Sequence, residues 1–209
     1  DAILGEEGGE TDGVSGVRWV VDPVDGTVNL LYGIEQYAVS VAAEHRGVSV
    51  AGAVVDVTAG TVYAAARGHG ATRDGAPIRV RPVAPVPERL VLTGFGYRSD
   101  VRAHQGACVA RLLPEVRYIR RMGSCALDLC HLAEGLADGY VEDGPRRWDW
   151  AAAGLVLSEA GGRFEVLHGP LADQLEGWPR ASVLVGSPAE GWDDLVALLR
   201  RTGFLVDRA

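Results

Sequence analysis

Trp19-Val20-Val21-Asp22-Pro23-Val24-Asp25-Gly26-Thr27-Val28-Asn29 is the stretch around which the rest of the chain can be read. Residues 17–21 form a short apolar run and predict a buried strand. Pro23 sets its own φ and offers no N–H, so the strand is expected to stop and turn there. Gly26 allows a backbone conformation or a close approach that a side chain forbids. The turn gathers two carboxylates (Asp22 and Asp25), a main-chain carbonyl, the Thr27 hydroxyl and several amides. Oxygen donors of this kind suit Mg²⁺, which takes carboxylate, carbonyl and water ligands in an octahedron. By themselves the same residues also make an ordinary Asp-Pro-x-Asp-Gly surface turn, its acids satisfying local amides.

Composition narrows the class. A chain of 209 residues with 47% hydrophobic content predicts a soluble globular protein of one large or two small domains. No run of about 18 apolar residues is present, so no membrane span is expected. No signal peptide is visible, and the chain starts at Asp1 without a methionine, which leaves room for an upstream part. Cys108, Cys125 and Cys130 are odd in number and lack metal-type spacing, which favours free thiols in a reducing cytoplasm. The net charge of −8 argues against nucleic acid or an anionic membrane as the main partner.

Along the chain, residues 36–43, 48–57, 61–66 and 78–80 read as strands of an antiparallel meander punctuated by glycine turns. Pro82, Pro85 and Pro87 mark the boundary between a part at 1–82 and a part at 83–209. Strands then alternate with helices: strands at 89–93, 116–119, 139–142 and 182–185, and helices at 100–113, 150–159 and 193–201. A further helix, capped by Ser124, runs to about residue 134. The expected architecture is layered α and β, an antiparallel sheet followed by a mixed α/β part, with the acidic site where the two parts meet.

Three acidic positions sit at punctuated ends of elements: Glu6-Glu7, Asp22/Asp25, and Asp149 within Trp148-Asp149-Trp150. Alone, Glu6-Glu7 reads as a solvated loop and Asp149 as a helix N-cap. Together they place four or five carboxylates around one point, an arrangement that repels itself unless cations neutralise it. Gly5-Glu6-Glu7, Asp22-Pro-Val-Asp25-Gly-Thr27-Val-Asn29, and Trp148-Asp149 with the Glu159-Ala-Gly-Gly162 ending resemble the signatures of the inositol monophosphatase family. Thr93-Gly-Phe-Gly-Tyr97 and Arg121-Met-Gly123-Ser-Cys-Ala-Leu-Asp-Leu-Cys130 are similar to its bacterial members. The likeness runs through nearly the whole chain in order.

The resemblance implies a layered α-β-α-β-α sandwich of the sugar-phosphatase type and a Mg²⁺-dependent, lithium-sensitive phosphomonoesterase acting on inositol monophosphate. Glu6 would hold metal and polarise the attacking water, with Glu7 more loosely linked. Asp22 would bridge two of two or three Mg²⁺ ions, with the Val24 carbonyl on the first and Asp25 on the second. Asp149 would complete the second site and approach the substrate. Thr27 would hold the water, the Gly26 and Thr27 amides would receive phosphate oxygens, and Gly123, Ser124, Cys125 and Glu142 would line the alcohol side. In such chemistry one ion acidifies water and another stabilises the leaving alkoxide, from sites about 3.5–4 Å apart. A homodimer in the cytoplasm and a small phosphorylated sugar or polyol are the implied assembly, location and partner.

Two departures stand beside this likeness. Arg146 and Arg147 replace a less charged linker, and they either pin carboxylates or admit a second phosphate. The helices and further acid that the family carries upstream of Glu6 have no match in this chain. Fructose 1,6-bisphosphate, histidinol phosphate or a phosphoadenosine nucleotide remain alternative substrates. A non-catalytic interaction protein with the same fold is the alternative from a different class. Glu142 also reads as a solvated acid after a short strand.

Overall fold

The computed structural model describes residues 1–171 and 181–206. Alternating Val and Ala through residues 38–66 fold as the meander that their period of two predicts. The strands β1 (Ala2–Gly5), β2 (Gly9–Thr11), β3 (Val17–Asp25), β4 (Ala38–His45), β5 (Val48–Asp56), β6 (Thr61–Ala66), β7 (Ala71–Arg73) and β8 (Ala76–Pro77) form one sheet in the order β2-β1-β3-β4-β5-β6-β7-β8. Its pairings are antiparallel except β1 with β3, which is parallel. The expected strand at 78–80 is instead extended chain, tied by Ile78 N–H to the Ala71 carbonyl and Val80 N–H to the Ala160 carbonyl.

A second sheet has the order β10-β9-β11-β13-β12, from β9 (Leu90–Thr93), β10 (Tyr118–Arg120), β11 (Gly139–Asp143), β12 (Gly162–His168) and β13 (Ala181–Pro188). Strands β10, β9 and β11 run parallel, while β13 and β12 are antiparallel additions. The polar alternation of Arg163 and Glu165 hides β12 from an apolar-run reading; it is an edge strand.

Helices α3 (Cys125–Ala133) and α4 (Arg147–Glu159) share one core with both sheets: Val20, Val54 and Tyr63 from the first, Leu92, Tyr140 and Leu184 from the second. On the far side of the second sheet, α2 (Ser99–Leu112) contributes Cys108 and Leu112, and α5 (Trp192–Thr202) contributes Leu195, Leu198 and Leu199, to another core. Each such buried leucine stabilises the fold by about 1.5–3 kcal/mol. The layers are therefore sheet, helices, sheet, helices. On the outer face of the first sheet Ile3 and Trp19 are cross-strand neighbours and both remain exposed.

Two expectations change. Strand β3 does not end at Pro23 but continues to Asp25, with a register shift in which Asp22 opposes Ser40 and Asp25 opposes Ala38. Three residues on β3 thus span two on β4, a bulge that absorbs the missing proline donor. Helix α4 starts at Arg147, three residues before the expected 150, because Asp149 sits inside the first turn and bonds back to the chain before it.

Alanines 151–153 let α4 lie close on the first sheet. A Cβ at Gly52 of β5 would stand 2.8 Å from the Cα of Ala152. Gly52→Ala is therefore expected to destabilise by about 1–3 kcal/mol, the overpacking outweighing the usual entropic gain of replacing glycine. Urea unfolding of wild type and variant measures this; equal midpoints would show that α4 is free to shift.

Candidate active site

In a regular strand, residues three apart point to opposite faces. The β3 bulge overrides this: Asp22 and Asp25 oppose Ser40 and Ala38, two residues on one face of β4, so both carboxylates turn to the same side and both are buried. The Asp22 carboxylate accepts from Val24 N–H at 2.9 Å. Asp25 accepts from the Ser124 hydroxyl at 2.5 Å and from Ala126 N–H at 2.7 Å, at the start of α3.

The third carboxylate arrives from α4. Asp149 accepts from Arg146 N–H at 2.5 Å, and its own N–H donates to the Arg146 carbonyl at 3.1 Å. The helix end is held against the first sheet by Arg147, which donates to Glu44 at 2.5 Å and lies 4.1 Å over the Trp150 ring. Glu44 is fully buried and also accepts two bonds from Arg18, at 3.0 and 2.7 Å. Arg147 is thus a structural anchor for the turn carrying Asp149.

Carboxylate oxygens of Asp22, Asp25 and Asp149 all lie within 4.8 Å of one another. Burial raises Asp25 to about 7 despite the lowering by Ser124 and Ala126, and burial followed by the Asp25 charge raises Asp149 to about 9. Asp22 is also raised by burial. Glu6 is raised by burial, then by Asp22 and Glu7. A dense set of hard oxygen donors that resists full ionisation fits a divalent cation such as Mg²⁺.

These acids line a cavity of about 400 Å³ with Glu6, Val24, Gly26, Thr27, Gly123, Cys125 and Glu142. Thr27 opens α1 (Thr27–Tyr32), a short helix with no clear apolar period, and its hydroxyl donates to the Val24 carbonyl at 3.0 Å. Gly26 has φ +95°, and a Cβ there would meet the Gln36 carbonyl at 2.9 Å, so glycine is required on two counts. The buried Asn29 amide donates to the carbonyls of Gln36 (2.7 Å) and Met122 (2.8 Å), tying this turn to the 121–124 loop. Glu142 accepts from the Tyr140 hydroxyl at 2.7 Å. Burial, reinforced by Glu142, Asp25 and Asp149, pushes the Cys125 thiol well up, so it is a neutral wall and not a thiolate.

Two expected contacts fall elsewhere. Ser124 is buried behind the cavity wall, its oxygen accepting from Leu127 N–H at 3.2 Å while its proton goes to Asp25. It positions Asp25 and does not line the cavity. Glu7 is exposed and lies outside the lining. The 94–98 loop, Arg121, Arg146 and Trp148 do line it. Of these only Arg146 was open to a ligand role in the sequence, as one of a pair that either pins carboxylates or admits a second phosphate; the others depend on where the second sheet's strands end.

The chain matches the model of the inositol monophosphatase family over residues 1–201. It is 45% identical to the protein named inositol-1-monophosphatase SuhB of Mycobacterium tuberculosis, over 96% of this chain and 70% of that one. It is 43% identical to a protein named Nus factor SuhB of Xylella fastidiosa, over 77% of this chain and 58% of that one. The solved structure of Mycobacterium tuberculosis SuhB superposes with a TM-score of 0.83 at 43% identity, covering 98% of this chain and 77% of that one. Among the described residues no helix is long and apolar enough to cross a membrane.

Stability should report the acidic cluster directly. Asp25 and Asp149 have folded values above the unfolded carboxylate value of about 4, so the folded state binds the extra protons. Without divalent cation, the thermal midpoint is expected to fall as pH rises through about 7 and about 9. Mg²⁺ should raise the midpoint more at pH 8 than at pH 5, since it binds the deprotonated ligands. Scanning calorimetry at both pH values tests this; a Mg²⁺ effect independent of pH would contradict it.

Proposed function

We propose that this chain, which belongs to the inositol monophosphatase family, is a Mg²⁺-dependent phosphomonoesterase that hydrolyses inositol monophosphate to inositol and phosphate by direct attack of water. The observation that carries the reading is the convergence of Asp22, Asp25 and Asp149 oxygens within 4.8 Å in a cavity that Glu6 and Thr27 also line. The carboxylates of Glu6, Asp22, Asp25 and Asp149 and the Val24 carbonyl would hold two or three ions. When bound, Mg²⁺ neutralises charge on the phosphate, acidifies water and stabilises the leaving alkoxide.

The protein's own groups position the reactants. Thr27 donates its proton to the Val24 carbonyl, which leaves its oxygen lone pairs to accept from a water and fix that water's orientation. Glu6 stands in the same cavity as the acceptor for the water's other proton. The Gly26 and Thr27 amides are assigned to phosphate oxygens. One Glu142 oxygen accepts from Tyr140, and the other is assigned to an alcohol hydroxyl beside Gly123 and Cys125. No protein nucleophile is needed, consistent with a neutral Cys125 thiol. A cytoplasmic homodimer, sensitivity to lithium and the absence of a nucleic-acid role complete the reading.

A second reading is a non-catalytic interaction protein, favoured by relatives that carry the printed name Nus factor SuhB. Phosphate release measured across a panel of esters, with and without Mg²⁺, separates the two. Mg²⁺-dependent turnover of inositol monophosphate is expected, and kcat/KM compared across it, fructose 1,6-bisphosphate, histidinol phosphate and a phosphoadenosine nucleotide identifies the preferred ester. Asp22→Asn should lower Mg²⁺-dependent turnover by about 100-fold or more. No turnover of any ester, with no thermal shift on adding Mg²⁺, would select the interaction reading.

A further inference from the structure

Three arginines line the cavity, and they are not equivalent. Arg98 is held by Asp100 through bonds of 3.1 and 2.7 Å. Arg121 and Arg146 form no ion pair among the described residues, although six of the cavity's lining residues are acidic. Arg147, adjacent to Arg146, is by contrast locked on the buried Glu44. The tandem arginines therefore do different jobs: Arg147 anchors α4, and Arg146 lines the cavity without an ion pair among the described residues.

Topology gives these cations a common address. Strands β10, β9 and β11 are parallel neighbours, and each is followed by a loop that enters a helix: β9 to α2, β10 to α3, β11 to α4. The three loops leave the carboxyl ends of the strands, the edge at which open parallel sheets bind ligands. The β9 loop carries Tyr97, which is exposed at 81%, the β10 loop carries Arg121, and the β11 loop carries Arg146. With strands about 4.8 Å apart, the ends of β10 and β11 stand about 10 Å from each other, close enough for two arginine side chains to reach one anion. Arg121 is folded back over the loop, its guanidinium 2.5 Å from where a Cβ on Gly123 would sit. Gly123 is itself a residue of the cavity wall.

We propose that Arg121 and Arg146, with the Tyr97 hydroxyl as a third donor, form a second-oxyanion subsite that selects phosphate esters whose alcohol carries a further phosphate or carboxylate. The proposal rests on the phosphatase reading for the ester's position in the cavity, and within that reading it names the substrate class. Guanidinium groups bind phosphate and carboxylate through paired, charge-assisted hydrogen bonds, which lysine does not reproduce.

The test is calorimetric titration of the full chain, with Mg²⁺ present, using propylphosphonate, 4-phosphonobutanoate and butane-1,4-bisphosphonate. Both two-anion probes, or whichever carries the second group the site prefers, should bind about tenfold tighter than propylphosphonate. Comparing them tells phosphate from carboxylate. Arg121→Ala and Arg146→Ala should each reduce that preference to about threefold or less, and Arg146→Lys should restore only part of it. Both side chains are exposed, and an unchanged thermal midpoint verifies folding of each variant.

Equal affinity for all three probes, failure of all three to bind, or a preference that survives Arg121→Ala/Arg146→Ala together would overturn the subsite. Ester turnover from the panel above separates the two claims. Hydrolysis without a two-anion preference leaves the phosphatase reading standing and removes the subsite. A two-anion preference without hydrolysis does the reverse.

Discussion

Three carboxyl groups with oxygens within 4.8 Å of one another, Asp22 and Asp25 buried and Asp149 half-buried, coexist only where rigid surroundings hold them and bound protons or a cation relieve their repulsion. The molecule supplies the rigidity from three directions. The β3 bulge turns Asp22 and Asp25 to one side, the start of α3 grips Asp25 through Ser124 and Ala126, and the Arg147–Glu44 pair holds the first turn of α4, with Asp149, against the first sheet. Each support belongs to a different element, so the cluster exists only when both sheets and the helices between them are in place.

The helical layer makes this possible because it is thin on one side. Alanines 151–153 and Gly52 allow backbone-to-backbone approach where larger residues would push α4 outward and carry Asp149 with it. The same layer faces the second sheet with larger groups, Leu129, Leu132 and Leu157, packed at Gly186 of β13. Small residues therefore set the position of Asp149, and large ones set the stability of the frame around it.

Charge is distributed with comparable asymmetry. Arginines that serve the frame are paired: Arg18 and Arg147 with Glu44, Arg73 with Glu134, Arg89 with Asp194. Arg121 and Arg146, on loops leaving parallel strands, make no ion pair among the described residues, and the Arg121 charge acts at longer range on Glu142 and Asp128. The Ser124 hydroxyl follows the same division: bonded to Asp25 and to Leu127 N–H, it serves the acid's position and not the ligand.

Much of this was legible in the chain itself. The period of two through residues 38–66, the Ser124 cap and the Leu195, Leu198 and Leu199 stripe depend on local spacing, and the structure follows them. Glu6, Asp22, Asp25, Thr27 and Asp149 were readable as candidates from their chemistry, Gly123, Cys125 and Glu142 only from the family resemblance, and the fold brings all of them to one cavity. Helix α1 was not readable, because it carries no clear apolar period, while β12 has Phe164 and Val166 alternating with Arg163 and Glu165 over too short a span to stand out as an apolar run. The continuation of β3 past Pro23 was likewise hidden, since a bulge is a property of two strands and not of one. The roles of Arg121, Arg146 and Arg147 required tertiary structure for a related reason. Adjacent arginines look alike in sequence, and only the burial of Glu44 and the ends of three parallel strands decide which is an anchor and which faces the ligand.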